Sequence, residues 1–306
     1  MVIQLRVDRN RHPLRIGTHE IDVDGIAQRY HVRGSGAEVC VAVPGGPGLS
    51  WEYLRMPAVE RRVRVVYVEP LGTGASGRLP SHPDGYTRAV YAEALDRLLD
   101  RLGRERVHLL GHCHGGLVAQ YYALRHPERL AGLILHMSSP VTGPEQTAET
   151  GRQVDRFVRR NQWNPALPAV LDALHAIQDA HDDRALTAAT RDALPTQFAH
   201  YWARRDELAG LRPKFRRSYL SAPELIDDRA ELPGLSVPTL VTAGMYDIVG
   251  GTRWARELHQ LIPYARLLLL ARSGHLGHIE EPERFAEGVL DFVAATPAVH
   301  GGKIAA

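Results

Sequence analysis

The sequence predicts an α/β protein in which a mostly parallel central sheet, flanked by helices, is interrupted by an all-helical insertion. Three observations predict it. Short, continuously apolar runs rich in β-branched residues alternate with segments whose apolar residues recur at helical spacing, the pattern of parallel strands covered on both faces. The alternation stops near Ser138 and resumes after Leu235, with helical segments between. A chain of 306 residues also has room for one large domain and a smaller inserted one.

Taken in order, residues 21–23 and 26–32 read as strands joined by a turn at Asp24-Gly25. Residues 38–43 form an apolar strand that runs into the loop Pro44-Gly45-Gly46-Pro47-Gly48, and 63–68 form another strand. Residues 87–102 carry Val90, Ala94, Leu95, Leu98, Leu99 and Leu102 at helical spacing and end at Gly103, a good helix C-cap. A strand at 107–110, a helix at 117–124 and a strand at Leu130–His136 follow. The insertion reads as helices at 148–160, 166–180, 185–194 and 201–208, with a broken helical stretch at 219–228 and prolines at 165, 168, 195, 213 and 223. Strand 239–243, helix 252–261, strand Arg266–Leu270 and helix 282–293 complete the core, and the tail from Thr296 reads as loose. The expected organisation is a core of residues 1–139 and 235–306 with a helical cap at 140–234.

Composition narrows the function. A hydrophobic fraction of 44% and a charged fraction of 24% are those of a globular chain, which excludes disordered and collagen-like classes. A formal net charge of +2 is too small to favour nucleic acid or anionic lipid as a partner. Two cysteines, Cys40 and Cys113, make neither a disulfide framework nor a clustered zinc site, so a reducing, cytoplasmic setting is expected. The first eight residues hold no apolar run of signal-peptide length, and the apolar stretch 267–271 is too short to span a bilayer.

The chemistry centres on Gly111-His112-Cys113-His114-Gly115-Gly116, between strand 107–110 and a helix. A nucleophile elbow has the form Gly-x-nucleophile-x-Gly in that context, because the tight turn tolerates only small flanking residues while it pushes the nucleophile clear of the sheet. Strand 239–243 leads into Gly244-Met245-Tyr246-Asp247, and strand Arg266–Leu270 into Ser273-Gly274-His275. Nucleophile, acid and base thus follow one another in the order that such elbows use, each beyond the carboxyl end of a strand. Cys113, His275 and Asp247 are the expected catalytic set, with an oxyanion hole from the backbone N–H groups of Gly46 and His114.

These motifs resemble the proline iminopeptidase branch of the α/β-hydrolase superfamily. Residues 43–48 (VPGGPG), 72–77 (GTGASG), 111–116 (GHCHGG), 244–247 and 273–285 (SGHLGHIEEPERF) carry the resemblance. It implies an α/β-hydrolase fold with an inserted helical cap. The chain departs from the branch at Pro44, where His is usual, at Glu69-Pro70-Leu71-Gly72, where Asp-Gln-Arg-Gly is usual, and at Cys113, where Ser is usual.

The expected activity is that of an acyl hydrolase or acyltransferase working through an acyl-cysteine on a small ester, thioester, lactone or amide, free or carrier-bound. A proline iminopeptidase and a non-catalytic ligand-binding member of the fold are the alternatives. The resemblance implies cap carboxylates for a substrate amine, with Glu149, Glu207 and Glu224 available. The mechanism requires no cofactor. A metal site at His112-Cys113-His114 is rejected because adjacent side chains on a sharp turn diverge. His278 is a rival base ranked below His275. Cys40 reads as core, Ser50, Ser76 and Ser139 sit in no elbow, and Arg212, Lys214, Arg216 and Arg217 read as a solvated basic face, with binding of an acidic acyl carrier or phosphate as the alternative.

Overall fold

The computed structural model describes residues 12–221 and 224–298. The readings of the first eight residues and of the tail beyond residue 298 lie outside the described residues. Eight strands form one sheet: β1 (Gly17–Val23), β2 (Ile26–Arg33), β3 (Val39–Val43), β4 (Arg64–Val68), β5 (Val107–His112), β6 (Leu130–His136), β7 (Thr239–Gly244) and β8 (Arg266–Leu270). Their order is β1-β2-β4-β3-β5-β6-β7-β8. β2 runs antiparallel to β1 and β4, and every other pair is parallel.

Burial follows position in the sheet. The edge strand β1 alternates exposed and buried residues, whereas every residue of β3, β5, β6 and β7 is buried. Those central strands are therefore covered on both faces, and their polar members His108, His112, His136, Thr239 and Thr242 are buried with the apolar ones. The helices are α1 (Pro57–Glu60), α2 (Arg88–Leu102), α3 (His114–Arg125), α4 (Pro144–Asn161), α5 (Leu167–Asp179), α6 (Asp183–Asp192), α7 (Arg205–Leu208), α8 (Arg253–Leu261), α9 (Gly277–Glu280) and α10 (Pro282–Ala295). In α2 the Thr87 side chain caps the start by accepting from the Val90 N–H, and Gly103 ends the helix in the left-handed conformation at φ 64°.

Two sequence readings change. α3 begins at His114, three residues before the expected start, because Gly115 and Gly116 read as loop from propensity yet lie in its first turn. The stretch 219–228, expected as broken helix, contains no helix among its described residues. Instead Asp227 forms an antiparallel bridge with Val141, and Leu49 forms one with Arg217.

The chain reverses direction across the sheet between β3 and β5, which are direct neighbours in register from Cys40↔His108 to Val43↔Gly111. The loop after β3 and the turn after β5 therefore emerge side by side, at the kind of switch point where open α/β sheets bind ligands.

Candidate active site

Cys113 sits at φ 52°, ψ −117°, a conformation that non-glycine residues avoid, between β5 and α3. Its N–H donates to the His136 carbonyl at 2.9 Å, and its own carbonyl accepts from the Gly116 N–H at 2.9 Å and the Ser138 hydroxyl at 3.0 Å. The flanking glycines are sterically required. A Cβ on Gly111 would lie 2.3 Å from the Gly115 carbonyl oxygen, and one on Gly115 would lie 2.3 Å from that of Val43. The thiol is thus pushed off the sheet and lines a cavity of about 330 Å³.

His275 and Asp247 converge on it from the loops after β8 and β7. The His275 Nδ1–H donates to Asp247 Oδ1 at 2.8 Å, and the ring is coupled to the Cys113 thiol by charge and a side-chain hydrogen bond. Asp247 Oδ1 also accepts the Val249 N–H at 2.8 Å, which fixes the carboxylate. Burial pushes the Cys113 thiol up, but the charge and hydrogen bond of His275 outweigh it, so the thiol lies below its ordinary value. Burial lowers His275, yet Asp247 and Cys113 together hold it well above the usual imidazole value. The arrangement favours a thiolate–imidazolium pair.

A buried hydrogen-bond chain fixes these loops. The Tyr53 hydroxyl accepts the Gly45 N–H at 2.7 Å and, because His112 carries its proton on the ring nitrogen that faces a carbonyl, donates to His112 Nδ1 at 2.8 Å. His112 Nε2–H then donates to the His275 carbonyl at 3.0 Å. Tyr53 therefore ties the Gly-Gly-Pro-Gly loop to the loop that carries His275. Because the Gly45 N–H is engaged, the Gly46 N–H is the one left without an acceptor among the described residues of that loop's first two glycines. The His114 N–H, at the first residue of α3, has no intrahelical acceptor and faces the thiol.

The loop before His275 is held by two consecutive carboxylates. Glu280 accepts the Gly274 N–H at 2.5 Å and the Ala199 N–H at 2.9 Å. Glu281 accepts the Arg272 N–H at 2.8 Å and the Ser273 hydroxyl at 2.7 Å. This is the physical content of the Glu-Glu pair in the 273–285 motif.

Other expectations resolve by position. His278 is buried beside His136 and Tyr53, donates to the Tyr53 carbonyl at 3.0 Å, and is pushed down to about 4 by burial. It does not face the cavity that Cys113 lines. Cys40 is fully buried in β3, with its thiol pushed up to about 12. Of the three carboxylates named for an amine, Glu149 is held by Arg152, Gln153 and Arg253, and Glu207 by Arg204. Only Glu224 lines the cavity, and it accepts the Arg88 N–H at 2.6 Å. Arg212, Lys214 and Arg216 are exposed as expected, but Arg217 is not. It turns inward, donating from Nε to the Pro47 carbonyl at 3.1 Å. Ser50 is buried and bonded to the Lys214 carbonyl. Among the described residues no cluster of His, Cys, Asp and Glu has metal-holding geometry, and no helix is long and apolar enough to cross a membrane.

A family model described as the alpha/beta hydrolase fold matches residues 40–282. The chain belongs to the α/β-hydrolase family. Over 279 residues it is 30% identical to the 2-hydroxy-6-oxononadienedioate/2-hydroxy-6-oxononatrienedioate hydrolase of Paraburkholderia xenovorans, covering 89% of this chain and 92% of that one. Over 277 residues it is 28% identical to the proline iminopeptidase of Saccharolobus solfataricus, covering 86% and 87%. Among solved structures, a hydrolase from Pseudomonas aeruginosa PA01 superposes with a TM-score of 0.68 at 26% identity, covering 90% of this chain and 98% of that one. The resemblance to proline iminopeptidases is thus shared with α/β-hydrolases of other named substrates, and it carries to the superfamily. Within this α/β-hydrolase, Tyr53 escaped the sequence reading, and Arg217 entered it only as one of four residues of a basic run. Tyr53 lies in no motif, and Arg217 was masked by its exposed basic neighbours.

Proposed function

We propose that this α/β-hydrolase is an acyl hydrolase or acyltransferase working through a covalent thioester on Cys113. The observation that carries the reading is the hydrogen-bonded relay from Asp247 through His275 to a cysteine on a strained elbow that lines a cavity. The thiolate adds to the carbonyl carbon of an acyl donor, and the carbonyl electron pair moves onto oxygen, held by the N–H groups of Gly46 and His114. Collapse expels the leaving group, which takes the proton from His275, and the acyl group stays on sulfur. An acceptor (water, amine or hydroxyl) then gives a proton to His275 and adds to the thioester, and the second collapse returns the thiolate. Asp247 holds the imidazole in the productive tautomer and stabilises its charged form.

The thiolate favours thioesters, esters and lactones as donors. With an amide, the tetrahedral adduct expels thiolate more readily than amine unless His275 protonates nitrogen first. A cavity of about 330 Å³ suits a small acyl group. One observation favours a second reading, an aminopeptidase: Glu224 places a carboxylate on the cavity wall, where a substrate amine would need it.

Intact-mass measurement after incubation with acyl thioesters, esters, lactones and prolyl amides tests both. The expected result is an acyl increment on the Cys113 peptide, absent from Cys113→Ala, with thioesters and esters turned over faster than prolyl amides. A preference for prolyl amides selects the second reading. Absence of adduct and turnover with every donor overturns the proposal.

A further inference from the structure

We propose that Arg217 and the arginine-lined cavity behind the Gly-Gly-Pro-Gly loop form an anion subsite, so that the acyl substrate carries a carboxylate or a phosphate. This deepens the acyl-transfer reading and rests on it.

The placement of Arg217 follows from the backbone. Residues 216–218 pair with the loop after β3: the Ser50 N–H donates to the Arg216 carbonyl at 2.9 Å, the Ser218 N–H donates to the Gly48 carbonyl at 2.9 Å, and Leu49 bridges Arg217. Extended chain alternates its side chains. Arg216 accordingly points out to Glu52, and Arg217 points the other way, partly buried against Pro47. Only Nε of Arg217 is engaged. Among the described residues its two terminal nitrogens have no acceptor, and no carboxylate pairs with it. The ionisable groups that it acts on most directly are the Cys113 thiol, Tyr53 and His114. Arg217 is half-buried, and its terminal nitrogens are not among the fully buried polar atoms that lack a partner, so an incoming anion can reach them.

The cavity beside it, about 780 Å³, is lined by Arg184, Arg191, Arg216 and Arg217, with Glu69 and Asp183. Both acids are already engaged. Glu69 binds His31 at 2.8 Å and the Ala75 N–H at 2.6 Å. Asp183 binds Arg78 at 2.6 Å and the Tyr219 N–H at 2.7 Å. Arg191 spends its bonds on the Phe215 and Pro213 carbonyls, while Arg184 and Arg217 are left with no carboxylate. The charges lining the cavity therefore sum to a positive value, and Arg217 joins it to the loop that carries Gly46 through its bond to the Pro47 carbonyl. A planar guanidinium with two free nitrogens matches an anion with two oxygens.

The test uses matched donors. Pentanoyl- and glutaryl-N-acetylcysteamine differ by a terminal carboxylate, and pentanoyl-pantetheine and pentanoyl-phosphopantetheine differ by a phosphate. The wild type is expected to prefer the anionic member of one pair. Arg217→Gln is expected to cut that anionic-to-neutral ratio of kcat/KM by roughly 10- to 100-fold, the span of a charge-assisted hydrogen bond, with Arg217→Lys recovering part of it. The pair that responds identifies carboxylate or phosphate. Equal losses for both members, or unchanged ratios, overturn the proposal, since Arg217 would then serve only the Pro47 loop or the thiolate. Calorimetric binding of the same four compounds to Cys113→Ala, with and without Arg217→Gln, reads the subsite without catalysis. It decides the anion site even if no donor is turned over. If Arg217→Gln does not fold, the ratio in Arg184→Gln and Arg217→Lys is decisive in its place, and unchanged ratios there sink the subsite.

Discussion

At the scale of single residues, the thiol and imidazole are shifted in opposite directions, and each shift has the other group as a cause. A thiol below its ordinary value is ionised at lower pH, and an imidazole held well above its own keeps its proton to higher pH. The ion pair therefore spans the interval between the two. The rate of iodoacetamide alkylation of Cys113, followed by mass spectrometry, is expected to reach its plateau below the ordinary thiol midpoint of about 8.5. In His275→Ala burial and the Asp247 charge push the thiol up against only the His114 N–H, so the midpoint is expected to climb past that ordinary value. An unchanged midpoint would separate the two side chains and remove the basis of the mechanism. The elbow supplies a steric counterpart. In Gly115→Ala the new methyl group would meet the Val43 and Pro44 carbonyl oxygens at 2.3 and 2.5 Å, and neither can swing away. A loss of about 1–3 kcal/mol on overpacking, read by denaturant unfolding, is expected along with loss of activity.

Elements, in turn, place those residues, and here local sequence was a good guide wherever a rule acts over a few residues. The buried strands β3, β5, β6 and β7 were legible because burial on both faces leaves continuous apolar runs. The end of α2 was legible because Gly103 alone suits a left-handed cap. The start of α3 was not, since the elbow, a tertiary constraint, overrides the poor helix propensity of Gly115 and Gly116. The motif after β8 was legible as a pattern, but its mechanics required coordinates. Glu280 and Glu281 reach backward from α9 and its end to hold residues 272–274. Glu280→Ala leaves the Gly274 and Ala199 N–H groups without their acceptor, and a loss of about 1–3 kcal/mol is expected for a buried donor so abandoned. Because the same loop carries His275, kcat is expected to fall while Cys113 alkylation loses its low-pH plateau. Stability and activity that both match the wild type would show that the loop is held by other contacts.

For the whole molecule, the informative contact joins the segment between β6 and β7 to the loop after β3. Leu49 and Arg217 are far apart in sequence, and nothing within a few residues of Arg217 distinguishes it from Arg216. Its inward turn is decided by pairing with the Gly48–Ser50 loop, so a basic run that reads as a solvated face splits into an outward and an inward member. Ser50 anchors that pairing: its hydroxyl donates to the Lys214 carbonyl at 2.7 Å and accepts the Arg216 N–H at 3.3 Å. Ser50 is buried and in no elbow, so its removal probes docking and not the nucleophile. Ser50→Ala forfeits two hydrogen bonds, each worth about 0.5–1.5 kcal/mol, and leaves the Lys214 carbonyl and the Arg216 N–H without that partner. Hydrogen exchange at residues 214–218 is expected to accelerate, with little change in the strands of the core. Since the loosened segment carries Arg217, KM for an anionic donor is expected to rise more than kcat falls. Uniform acceleration of exchange across the sheet would mean that Ser50 supports the global fold, and the link from docking to substrate would then be broken.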